Sequence, residues 1–182
     1  MENETVKTII IFLITMALIF STVLSYNANN EKDLMITIMK TDLIFSEAGS
    51  ISSQGNTYYD LASISYEREE NSNVEYYCTL ARDEFSDATQ KFREAKTPLK
   101  EINKPISEVY IDLIDSAIEI DNNMFEACEN FESASREYDA GDFDMGGVYI
   151  DAMNLKIADH DKAVNEYNDL LEDYRFELNQ LL

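Results

Sequence analysis

The chain has 182 residues, 36 of them acidic and 14 basic, for a formal charge of −22, and that length suits one compact domain. A nucleic acid needs clustered Lys and Arg; here the basic residues are scattered and outnumbered, which excludes nucleic-acid binding and peripheral electrostatic attachment to anionic lipid. With 45% hydrophobic residues, five Gly, two Pro and no Trp, the chain is too apolar for disorder and too poor in turn residues for a β-sandwich, so an all-α fold is expected.

Residues 1–7 form a short tail. From Thr8 to Leu24 seventeen residues run without a charge, and extension through Tyr26 gives about the length that crosses a hydrocarbon core of roughly 30 Å. The segment 8–26 therefore reads as a transmembrane helix in contact with membrane lipid. The rival reading is a cleavable signal peptide, whose apolar region is typically about 7 to 15 residues behind a positive segment; here Lys7 stands against Glu2 and Glu4, and the longer run favours a retained anchor. An early apolar segment ahead of a long domain commonly acts as a secretory signal, which puts residues 27–182 on the extracytoplasmic side.

The expected bundle is elongated and antiparallel, with coiled-coil-like packing. Its first helix spans 31–48, capped by Asn30, with apolar residues round most of its circumference and a polar strip of Asp33, Thr37, Lys40 and Thr41. Gly49 to Gly55 reads as a loop by composition. A second helix, 57–96, carries Val74, Cys78, Ala81, Phe85, Ala88, Phe92 and Ala95 at alternating spacings of four and three, with a break near 71–73 where Ser72 or Asn73 could cap a new start. Thr97-Pro98 and Lys104-Pro105 bracket the next loop. The third helix, 106–138, repeats the seam with Ile106, Tyr110, Leu113, Ala117, Ile120, Met124, Cys128 and Phe131. The fourth, 144–181, holds it from Gly146 through Met153, His160, Tyr167 and Leu171 to Leu181. An unbroken forty-residue second helix, about 60 Å long, would outrun the first on its return. Either the chain breaks near residue 71, or the Gly49–Gly55 joint does not reverse it, or the anchor is removed.

Cys78 and Cys128 lie at matching distances either side of the second loop and on inward seams, which predicts a disulfide between neighbouring helices in an exported domain. Zinc is disfavoured, because structural sites usually need four ligands and the chain has two Cys and one His. His160, between Asp159 and Asp161, reads as a bundle-layer residue satisfied by a polar neighbour. Asp142-Phe-Asp144-Met-Gly146-Gly147 has acids where a calcium loop starts, but Met153 occupies the position of its bidentate Glu. Tyr138-x-x-Gly141-Asp142-Phe143-x-x-Gly146 resembles the helix-helix turn of tetratricopeptide repeats, in which Gly ends one helix, Asp starts the next and an aromatic fills the corner. The resemblance covers a dozen residues, occurs once, and implies the turn geometry alone.

No catalytic constellation, cofactor motif or metal-ligand set emerges, so the chain is expected to be non-enzymatic and cofactor-free. The leading expectation is a membrane-anchored helical bundle that binds a protein partner or self-assembles at the cell surface. The alternative is an extracytoplasmic ligand-sensing bundle that signals through a partner protein. An apolar seam left open on the monomer would favour the first.

Overall fold

The computed structural model describes residues 32–101 and 105–180, and among them every regular element is helical. Helix α1 spans Lys32–Glu67, α2 Asn71–Leu99, α3 Pro105–Ala140 and α4 Phe143–Gln180. The expected transmembrane segment, 8–26, lies outside the described residues; among those described, no helix is long and apolar enough to cross a membrane.

The helices alternate in direction. Near the start of α1, the Thr41 hydroxyl donates to the Ala95 carbonyl and Lys96 pairs with Asp115, so α1, α2 and α3 meet there. At the other end Tyr66 of α1 stacks on Tyr138 of α3. The first end is termed proximal and the second distal; 36 residues of α1 separate them by about 54 Å. Helix α1 packs on α2, α2 on α3 and α3 on α4, whereas no Cα of α1 comes within 8 Å of one in α4. Those two helices meet through side chains, as where the Tyr59 hydroxyl reaches the Met153 sulfur at 3.8 Å.

All seven seam positions of α2 are buried, as are Tyr110, Leu113, Ala117, Met124, Cys128 and Phe131 of α3. They fall into two clusters. The proximal one joins Ile38, Phe45, Phe92, Leu99, Leu113, Ile114 and Leu171; the distal one joins Ala62, Val74, Cys78, Ala81, Phe85, Ala127, Cys128, Phe131 and Met153. Between them Ser52 donates to Asp121 at 2.6 Å, and Asp121 is 1% exposed.

Three expectations are corrected. Residues 49–55 are not a loop, since α1 runs straight through them. Their small side chains serve close packing instead: Gly55 is buried, and a Cβ there would meet the Phe85 ring at 2.9 Å. The chain reverses after α1 at Arg68-Glu69-Glu70, so the break does fall near residue 71 and the earlier joint does not turn. On α1 the expected polar strip is partly inverted: Thr41 is fully buried, whereas Ile36, Met39 and Leu43 are exposed, Leu43 by 72%. The hydroxyl of Thr41 satisfies itself against α2, which lets it face inward. Finally, α2 continues past Thr97-Pro98 to Leu99. Pro98 forfeits the bond its N–H would have donated and its ring crowds the carbonyl four residues before, but fully buried Leu99 anchors that turn in the core.

Candidate functional site

The distal end is built by two turns of one design. After α3 the Asp142 N–H donates to the Glu137 carbonyl at 2.9 Å and the Gly141 N–H to Tyr138 at 3.0 Å, with Gly141 left-handed at φ 82°; this is a Schellman ending. Asp142 then caps α4, its carboxylate accepting from the Met145 N–H at 3.0 Å. After α1 the Glu70 N–H donates to Ser65 and the Glu69 N–H to Tyr66, and Glu69 takes the left-handed position with φ 60°. A side chain there costs what glycine avoids. Neither Ser72 nor Asn73 serves as the cap of α2. Glu70 holds that position without a side-chain cap bond, while its carbonyl accepts from the Asn73 and Val74 N–H groups.

Rings brace this end. Tyr59 and Tyr66 each contact Phe131, at 6.1 and 5.3 Å between centroids; Tyr66 stacks on Tyr138 at 6.1 Å, and Tyr138 meets Phe143 at 6.0 Å. A Cβ on Gly146 would lie 2.3 Å from the Tyr138 ring, so glycine at 146 lets α4 press against α3. Phe143 is nonetheless 71% exposed, and Met145, Val148 and Leu155 follow at 42%, 57% and 62%. With half-buried Ala152, positions 145, 148, 152 and 155 repeat at three, four and three, a seam on a different side of α4 from Gly146, Met153 and Tyr167. Beside its start, Ala140 to Asp144 line a shallow open depression.

Cys78 and Cys128 stand together in the distal core. Both thiols are free and fully buried; a hydrogen bond with Cys78, followed by burial, pushes the Cys128 thiol well up. Burial, then the two cysteines, raises the Tyr59 phenol too. One turn away Arg82 donates to Glu132 at 2.7 Å, its guanidinium lies 4.9 Å from the centre of the Phe125 ring, and Arg136 pairs with the same Glu132. The mostly buried Glu132 is thus held between two guanidinium groups, an arrangement that ties α2 to α3.

Two carboxylates sit in less well matched surroundings. Burial raises Asp121 to about 7, partly countered by the Ser52 hydrogen bond, and among the described residues its Oδ2 has no hydrogen-bond partner. Burial likewise raises Asp42 to about 6, with the Tyr110 hydroxyl opposing. The two groups interact across α1 and α3, but among the described residues neither carboxylate oxygen of Asp42 nor the phenol of Tyr110 completes a hydrogen bond. His160 is part-buried, with Nδ1 3.2 Å from Asp161 Oδ1. Among the described residues no group of three or more His, Cys, Asp or Glu is placed to hold a metal ion.

The structure therefore brings Cys78 to Cys128 and sets Gly141, Asp142 and Phe143 in one turn. Asp121 lies one position off the heptad seam, beside Ile120, and the outer stripe of α4 runs alongside an inner stripe that by itself accounts for an amphipathic helix. The three-four-three spacing from Met145 to Leu155 was the signal for the latter. No family model, curated protein or solved structure matches the chain.

Proposed function

We propose that this chain is a non-enzymatic, single-pass membrane-anchored interaction or cell-surface assembly module, tethered through residues 8–26 with residues 27–182 on the extracytoplasmic side. The observation that carries this reading is the exposed apolar stripe from Met145 to Leu155. On a chain of formal charge −22, exposed side chains of that size on one helix face mark a contact surface more readily than a solvated one. Its position supports the same reading. The apolar run Thr8–Leu24 precedes the proximal end of α1, and the stripe begins at the distal end, about 50 Å away along the helices. A tether at one end and a contact surface at the other suit a module that reaches outward from a membrane.

The test is topological. Both native thiols are fully buried, so Asp144→Cys adds the one exposed thiol. Intact cells treated with a membrane-impermeant maleimide are expected to label this variant, and the protein should stay with the membranes through alkaline carbonate extraction. Labelling only after lysis, or release into the carbonate supernatant, would overturn the proposal.

A further inference from the structure

We infer that the Met145–Leu155 stripe of α4 docks an amphipathic helix of another protein, one whose apolar face is flanked by Lys and Arg. This rests on the interaction-module reading and names the partner's chemistry. The spacing 145, 148, 152, 155 is that of a helix seam, and a helix-in-groove partner reads such a seam through its own residues at three and four. The seam is independent of the fold: Gly146, Met153 and Tyr167 bury the inner side of the same helix, so a partner can bind without rearranging the bundle.

Charge selects the occupant. From Glu137 to Leu155 the chain has five carboxylates, Glu137, Asp139, Asp142, Asp144 and Asp151, and no Lys or Arg; Lys156, one turn after Ala152, is paired with Glu126 at 2.6 Å. Asp144 and Asp151 lie one turn either side of Val148, and Asp151 one turn before Leu155, so both border the stripe on the helix surface. A second copy seated on the stripe would bring these carboxylates against their own counterparts, and like charges facing across an interface oppose association. An apolar helix edged with Lys and Arg matches both the centre and the rim.

The full-length chain in zwitterionic phospholipid nanodiscs is titrated with two labelled synthetic helices of about three heptads, both with Leu at the seam, one flanked by Lys and the other by Glu. Fluorescence anisotropy should show the Lys-flanked helix binding about tenfold tighter or more. The double substitution Val148→Ser with Leu155→Ser, which leaves the charge unchanged and alters only exposed side chains, should weaken that binding about tenfold or more. Equal binding of the two peptides, or undiminished binding to the serine variant, would overturn the inference, the second by showing that net charge alone attracts. Self-association of the wild type that the serine variant abolishes would overturn it as well, by making a second copy the occupant. The maleimide experiment is separate: internal labelling would refute the membrane topology while leaving the docking result standing.

Discussion

The proximal and distal halves of the bundle solve the same packing problem with different materials. Proximally, Ala48, Ala88, Ala95 and Ala117 let the helices approach, and Ile38, Phe45, Phe92, Leu99, Leu113 and Ile114 fill the rest with branched and aromatic bulk, the Phe45 and Phe92 rings meeting edge to face at 5.0 Å. Distally, Ala62, Ala81, Ala127, the cysteines and Gly55 bring backbones close, and Phe85, Phe131 and a row of tyrosines fill what remains. Alanines let the helices approach in both halves, and the distal half adds glycine crossings, Gly55 against the Phe85 ring and Gly146 against the Tyr138 ring. The half carrying the exposed stripe is also the one braced by the ring contacts of Tyr59 and Tyr66 with Phe131 and of Tyr66 with Tyr138. Asp121 marks the boundary between the two.

The largest test of this contrast uses the cysteine pair. Refolding in a mixture of reduced and oxidised glutathione should join Cys78 to Cys128: the two thiols lose two protons and two electrons, and the glutathione disulfide leaves as two thiols. Closing a loop of about fifty residues should raise stability by up to about 4 kcal/mol, read by urea denaturation with and without reductant, with the oxidised form two mass units lighter. Slower amide exchange confined to the distal half would sharpen the comparison. Two free thiols in every refolded molecule would break it, showing that the thiols cannot reach bonding geometry.

Next in size is a pH effect at the boundary. Asp121, at about 7, and Asp42, at about 6, lie above the unfolded carboxylate value of about 3.9. Between those limits the folded state binds more protons than the unfolded, so these groups make stability fall as pH rises from about 4 to 7 and level off above. Asp121→Asn should therefore gain on the wild type by about 2 kcal/mol between pH 5 and pH 8, followed by thermal unfolding at both. A difference independent of pH would mean that Asp121 is solvated by water entering between the two clusters.

The smallest effect compares the two distal turns. Glu69→Gly should stabilise the protein by about 1 kcal/mol, since it relieves a left-handed side chain yet frees the unfolded backbone, whereas Gly141→Ala should destabilise it by a similar or larger amount. Calorimetric melting of both variants checks the pair, and a loss of stability in Glu69→Gly would show that the Glu69 side chain stabilises the turn more than its backbone strains it.

Three of the four helices were legible because an amphipathic seam is a repeated signal. In α2 each of seven positions reports the same buried face, and one odd residue cannot erase it. Helix α1 has no such redundancy: Gly49, Ser50, Ser52, Ser53 and Gly55 have the composition of a loop, and only the placement of Phe85 and Asp121 reveals Gly55 and Ser52 as small residues at a close crossing. Gly141 announced its turn because left-handed backbone favours glycine; Glu69 occupies the same conformation without the residue that would have disclosed it. The stripe on α4 was hidden for the opposite reason. Its three-four-three spacing is present, but it shares the helix with a longer inner seam that alone accounts for the amphipathic pattern.

Alternation of direction has a mechanical consequence. The start of α1 and the start of α4 lie at opposite ends of the bundle, so a pull applied between them runs along the helix axes instead of prising one helix from its neighbour. Under such shear the layers of both core clusters share the load at once, whereas peeling would open them one at a time. If the distal stripe is gripped while the proximal end is held, the bundle behaves as a strut in tension, and its lifetime under force is set by the barrier to unfolding, not by its equilibrium stability.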